Sequence, residues 1–166
     1  MEDDVYSYNL IDVNGLERLA EVGPNLHRLI IREMPRKDAG INAYCKNISV
    51  LTQLKHLRFE KVAWQGVDDL QLRFIKATLP MMPTLRRLDL GNCALSSGTC
   101  SDEFLATIAN CLSQLYSLQH LELHENRISS ENMNMLLESL SFATDMRVLM
   151  LSHNGIGTRE SISAAP

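Results

Sequence analysis

The sequence predicts an α/β solenoid, an arc with parallel strands on its concave face and helices on its convex face. Three observations lead there. Leucine occupies 26 of the 166 positions, far more than an even composition allows. Its placement repeats about every 30 residues. Within each repeat the apolar spacing changes from two, the period of a half-buried strand, to 3.6, the period of an amphipathic helix.

Five segments fit one template of apolar-x-x-apolar-x-apolar-x-x-(Asn, Cys or apolar). They begin at Leu26, Leu54, Leu85, Leu118 and Met146, so successive starts are 28, 31, 33 and 28 residues apart. The alternating pairs Leu29/Ile31, Leu57/Phe59, Leu88/Leu90, Leu121/Leu123 and Leu149/Leu151 give short strands with one buried face. Helices follow. In the first coil Ile41, Tyr44, Cys45 and Ile48 are helix-spaced, and in the second Val67, Leu70 and Phe74 precede Pro80, which stops the helix. The third coil carries Phe104, Leu105, Ile108 and Leu112; the fourth carries Met133, Leu136, Leu137 and Leu140 behind Ser129 or Ser130 as N-cap. Asn126 and Asn154, at the last template position, are expected to point inward and bond loop backbone, making a ladder between coils.

Residues 1–25 are expected to form an amino-terminal cap or degenerate repeat, with Leu16, Leu19, Ala20 and Val22 on a short helix, and residues 26–166 the repeat domain, its last repeat incomplete. The third repeat is about five residues too long, and the extra length is expected near Ser113 to Tyr116. After Asn154-Gly155-Ile156 too few residues remain for a helix and a cap, which leaves Leu149 and Leu151 on an edge strand. Either the chain is a fragment of a longer one or a partner covers that end.

These repeats resemble leucine-rich repeats of the ribonuclease-inhibitor type. Cys93-Ala94-Leu95-Ser96-Ser97-Gly98-Thr99-Cys100 matches that family's Cys form, and Glu125-Asn126-Arg127-Ile128 its Asn form. The resemblance covers about Leu26 to Ile156. Met34 and Val62 stand where Asn or Cys is usual, and Arg36 and Trp64 replace an apolar residue, so the amino-terminal half departs from the pattern. The resemblance implies fold and subtype rather than one function. Its members include sensor regions of cytosolic nucleotide-binding immune receptors, the ribonuclease inhibitor, and actin-capping and ciliary scaffold proteins.

Composition narrows the functions. A net charge of -4 and a pI near 5.7 disfavour nucleic acid and anionic membranes, whose binders carry strongly basic faces. The acidic start, Met1-Glu2-Asp3-Asp4, has no apolar stretch behind it, so a cytoplasmic chain is expected. Four cysteines lack metal-ligand spacing, and no nucleophile or phosphate-binding motif occurs, so neither an enzyme nor a cofactor is expected.

The expected working surface is the concave face, formed by template positions three, five, seven and eight. Its candidate partner-binding residues are Arg28, Arg32, His56, Arg58, Lys61, Arg87, Asp89, His120, Glu122, His124, Glu125 and His153. Counted by coil, the first two are mainly basic and the next two mainly acidic, so the face is expected to be electrically polar along its axis. His120 and His124 are about 13 Å apart along one strand, too far to share a metal ion, and a site from His124 and His153 on adjacent strands stays open beside the simpler reading of solvated histidines. The leading expectation is a protein-interaction module, a scaffold or the sensing part of a larger protein. Two alternatives stand beside it: a GTPase-activating protein of the Ran-regulator type, which the resemblance implies, and a structural component of a larger assembly.

Overall fold

The structure, a computed structural model, describes residues 5–8, 23–32, 45, 48, 51–60, 69–92, 100–126, 128 and 130–155. Among these the elements are β1 (Val5–Tyr8), β2 (Arg28–Ile31), β3 (His56–Phe59), α1 (Asp69–Thr78), β4 (Arg87–Asp89), α2 (Cys100–Leu112), β5 (His120–Glu122), α3 (Ser130–Leu140) and β6 (Val148–Met150), with strand and helix alternating from β3 onward. The strands form a single parallel sheet in sequence order. Register is constant, so Leu29, Leu57, Leu88, Leu121 and Leu149 fall in one row. The α/β solenoid is therefore as expected.

Two backbone devices recur in every coil. Ahead of β2 to β6 a tight turn closes three residues back, from Leu26 to Gly23, Leu54 to Leu51, Leu85 to Met82, Leu118 to Leu115 and Met146 to Ala143, at 2.9 to 3.1 Å. One carbonyl then accepts two N–H groups of the next coil: His27 from Lys55 and His56, Lys55 from Arg86 and Arg87, Arg86 from Gln119 and His120, Gln119 from Arg147 and Val148. Thr84 adds a side-chain tie, its hydroxyl lying 2.9 Å from the carbonyls of both Thr52 and Leu54.

The core lies between sheet and helices. Leu29, Leu57, Leu88, Leu90, Leu121 and Leu123 come down from the strands onto Ile48, Ile75, Phe104, Leu105, Ile108, Leu112 and Leu136, all buried. Asn126 donates its side-chain amide to the Leu90 carbonyl at 2.8 Å. Asn154 accepts the N–H groups of Asn126 and Ile128, each at 3.0 Å, and donates to the carbonyls of Leu123 and Leu151. That is the expected ladder, and it satisfies turn backbone that would otherwise be buried unpaired. Pro80 lies in the 3-10 turn Leu79–Met81 directly after α1, which it ends as expected.

Three expectations change. The extra length of the third repeat is not near Ser113 to Tyr116, where the turn matches its counterparts in the other coils. Two residues of it lie in α2, 13 residues against 11 in α3. Leu137 is 49% exposed instead of buried, because among the described residues the helix that packs on α3 is α2, on one flank. The eighth template position lies beyond the strand: Asn92, Glu125 and His153 sit in turns at φ 50°, 58° and 58°.

At the amino end, β1 pairs in parallel with β2, setting Tyr6 beside Leu29 and Tyr8 beside Ile31. The helix expected over Leu16 to Val22 lies outside the described residues, as do Met34, Ile41, Tyr44, Trp64, Val67 and the Cys93 to Thr99 stretch.

Candidate functional site

On the face of the sheet opposite the core, the constant register aligns side chains into rows running across the strands. The first row is Arg28, His56, Arg87, His120 and Val148; the second is Ile30, Arg58, Asp89, Glu122 and Met150. Neighbours in a row are about 5 Å apart, the spacing of paired strands. Arg32, Glu60, Gly91, His124 and Ser152 follow two residues after the second row. Of the twelve candidate residues, Lys61 lies outside the described residues. Glu125 and His153 are exposed on the left-handed turns instead of the strand face, and the other nine share the face or its margin.

The charges on this face are layered. Asp89 accepts the Gly91 N–H at 3.0 Å and lies 3.3 Å from Arg58 Nε; Glu122 is bound by Arg87 and lies 2.8 Å from His120 Nε2. Both carboxylates are buried, at 4% and 8% side-chain exposure, while Arg58 and Arg87 stay 40% and 41% exposed. Arg32 pairs with Glu60 at 2.9 Å in the same way, one coil to the next. Asp89 and Glu122 thus sit beneath guanidinium groups and hold them in place, whereas Glu60 stays 28% exposed.

This corrects the expectation of a face polar along its axis. Counting charges by coil treats every group as equally exposed, but burial removes Asp89 and Glu122 from the surface that a partner meets. What solvent sees from β2 to β4 is mainly guanidinium and imidazole, with the partly exposed Glu60 carboxylate at the margin. Arg28 has no ion-pair partner among the described residues.

The titrating groups respond to this layering. Burial together with the positive charges of Arg28, Arg87 and Arg58 lowers the His56 pKa to about 4, against a smaller opposing pull from Glu122. Burial alone would raise the Glu122 carboxyl, but Arg87 and His120 outweigh it and hold it below its ordinary value. Burial raises the thiol of Cys111 to about 11 and that of Cys45 in the same direction, so neither is a nucleophile at neutral pH.

His120 and His124 reach Glu122 from opposite sides, His124 Nδ1 lying 3.8 Å from its second oxygen. The His124 ring rests over Gly91, where a Cβ would fall inside the imidazole. No group of three or more His, Cys, Asp or Glu among the described residues could hold a metal ion.

Sequence reasoning named these residues but not their depth. The template assigns Asp89 and Glu122 to the outward face, and nothing in it marks them as buried anchors. The signal was a carboxylate one coil after each arginine: Glu60 after Arg32, Asp89 after Arg58, Glu122 after Arg87.

No family model matches the chain. Over 142 residues, 86% of its length, the chain is 27% identical to protein NLRC5 of Mus musculus, and it spans 7% of that protein. Its fold is similar to that of the tropomodulin C-terminal domain of Caenorhabditis elegans, with a TM-score of 0.59 at 16% identity over 82% of this chain and 80% of that one. The fold is a leucine-rich repeat solenoid, and both likenesses agree with that. No described helix is long and apolar enough to cross a membrane.

Proposed function

We propose that the chain is a non-enzymatic protein-binding module that grips a protein partner with its concave strand face, as a scaffold or as the sensing part of a larger protein. One observation carries this reading: buried carboxylates hold Arg58 and Arg87 half-exposed in fixed positions on a sheet face that no helix of the described chain covers. Rigid, pre-positioned arginines lower the entropy cost of binding and are favoured at interface hot spots. Repeats of about 30 residues with full helices support the ribonuclease-inhibitor subtype. The parallel pairing of β1 supports a capping coil within residues 1–25.

Photo-crosslinking in a lysate of the source cells tests it, with a benzophenone amino acid placed at Arg28, at His120, or at Lys76, an exposed residue of α1. One protein captured from both strand positions and not from the helix is the expected result. Capture from Lys76 alone would move the contact to the helical side and end the concave-face reading.

A further inference from the structure

We propose that Arg28, His56, Arg58 and Arg87 dock an acidic, carboxylate-bearing segment of the protein partner, laid across strands β2 to β4. This rests on the protein-binding reading and gives the partner its chemistry.

Four observations converge. Arg28, His56 and Arg87 occupy consecutive places in one row, with Arg58 diagonal to Arg28 and Arg87, so the cluster is compact. The carboxylates of the chain's own face are already committed: Asp89 to Gly91 and Arg58, Glu122 to Arg87 and His120, and Glu60 to Arg32, with Arg58 3.9 Å away. Arg28 is left without an ion pair among the described residues. The Arg58 and Arg87 side chains stay 40% and 41% exposed above their buried carboxylates, so the cluster presents cationic groups that an incoming segment can reach.

Carboxylates fit this cluster better than a polynucleotide does. A carboxylate can take two parallel hydrogen bonds from one guanidinium. A polynucleotide extends its charge well beyond a row about 10 Å long from Arg28 to Arg87, and would there meet the rest of a chain of net charge -4.

A consequence concerns protons. His56 is faced by Arg28 from β2, by Arg58 on its own strand, by Arg87 from β4 and by Glu122 from β5. Burial first, and then three cations against one committed carboxylate, keep it neutral in the free protein. A bound carboxylate reverses that balance, so His56 takes up a proton on binding, and affinity rises as pH falls from 7.5 to 5.5.

The probe is a fluorescein-labelled deca-glutamate, followed by anisotropy at low salt against the whole chain, with deca-glutamine and a ten-nucleotide thymidylate as controls. The expected result is binding of deca-glutamate alone, tightening about tenfold between pH 7.5 and 5.5. Arg28→Glu, which breaks no ion pair, weakens it by about tenfold or more. His56→Gln binds about as well as the parent at pH 7.5 but loses the pH dependence. Circular dichroism confirms that both variants fold. Equal or tighter binding of the thymidylate, or deca-glutamate binding indifferent to Arg28→Glu, overturns the proposal. If deca-glutamate fails to bind while residue 28 still crosslinks to a protein, the acidic-segment inference falls and the protein-binding reading survives; if both fail, both fall.

Discussion

Strands β5 and β6 are neighbours built on one template, and their leucines have different fates. Leu121 and Leu123 are completely buried, whereas Leu149 and Leu151 are only partly so, and Val148 and Met150 beside them are each 40% exposed. Helices α2 and α3 repeat the contrast: Leu105 and Ile108 are buried while Leu137 is exposed. Identical local patterns thus give different burial, because burial is set by what packs against a coil and not by the coil itself. Stability belongs to the junctions between coils.

The largest test follows directly. Leu121→Ala should cost about 3–4 kcal/mol and Leu149→Ala about 1–2, measured by urea denaturation, since a cavity forms only where neighbours close over the site. Equal losses would mean that β6 is as well covered as β5. Next is the ladder. Asn126→Ala should cost about 2–3 kcal/mol, because the Leu90 carbonyl would be left buried without its donor. Asn154→Ala should cost less, about 1–2 kcal/mol, although it makes more bonds, because it is half-exposed and water can replace part of what it gives. The reverse order would make hydrogen-bond count, not burial, the governing quantity.

Acid offers a third test. The His56 pKa is about 4 in the folded chain against an ordinary 6.5, so as pH falls the unfolded chain takes up this proton first. The stability His56 contributes is complete above about pH 6.5 and is lost between 6.5 and 4, by about 2 kcal/mol once partial solvation is allowed for. His56→Gln should flatten the melting temperature across that window. Glu122 acts in the same sense at lower pH, since its depressed pKa confers stability above the ordinary carboxylate range that is lost as pH falls through it. The smallest effect is expected at Gly91→Ala. The methyl would push the His124 ring aside at a cost of about 1 kcal/mol, the ring being able to swing toward solvent, and its imidazole NMR signals should move.

The sequence was most legible where one template position means one environment. Leu88, Leu90, Leu121 and Leu123 were read correctly because a period of two inside a period of about 30 leaves a strand little choice. β1 was harder to see because its buried-type positions hold Tyr6 and Tyr8 in place of leucine, and Asp3 stands where the template begins. Leu137 was misread because helical spacing marks an apolar stripe without telling which flank a neighbour covers. Asp89 and Glu122 were named as surface partners, yet they lie beneath arginines of the preceding coil. Depth of that kind depends on contacts between residues about 30 apart, which no local pattern reports.

The paired hydrogen bonds that join one coil to the next, two N–H groups on a single carbonyl, are made entirely by main chain. They ask nothing of the side chains at His56, Arg87, His120 or Val148, whose own N–H groups make those junctions. Residues on that surface can therefore be exchanged one at a time while the scaffold beneath keeps its shape, so a new recognition specificity can arise without a new fold having to be found.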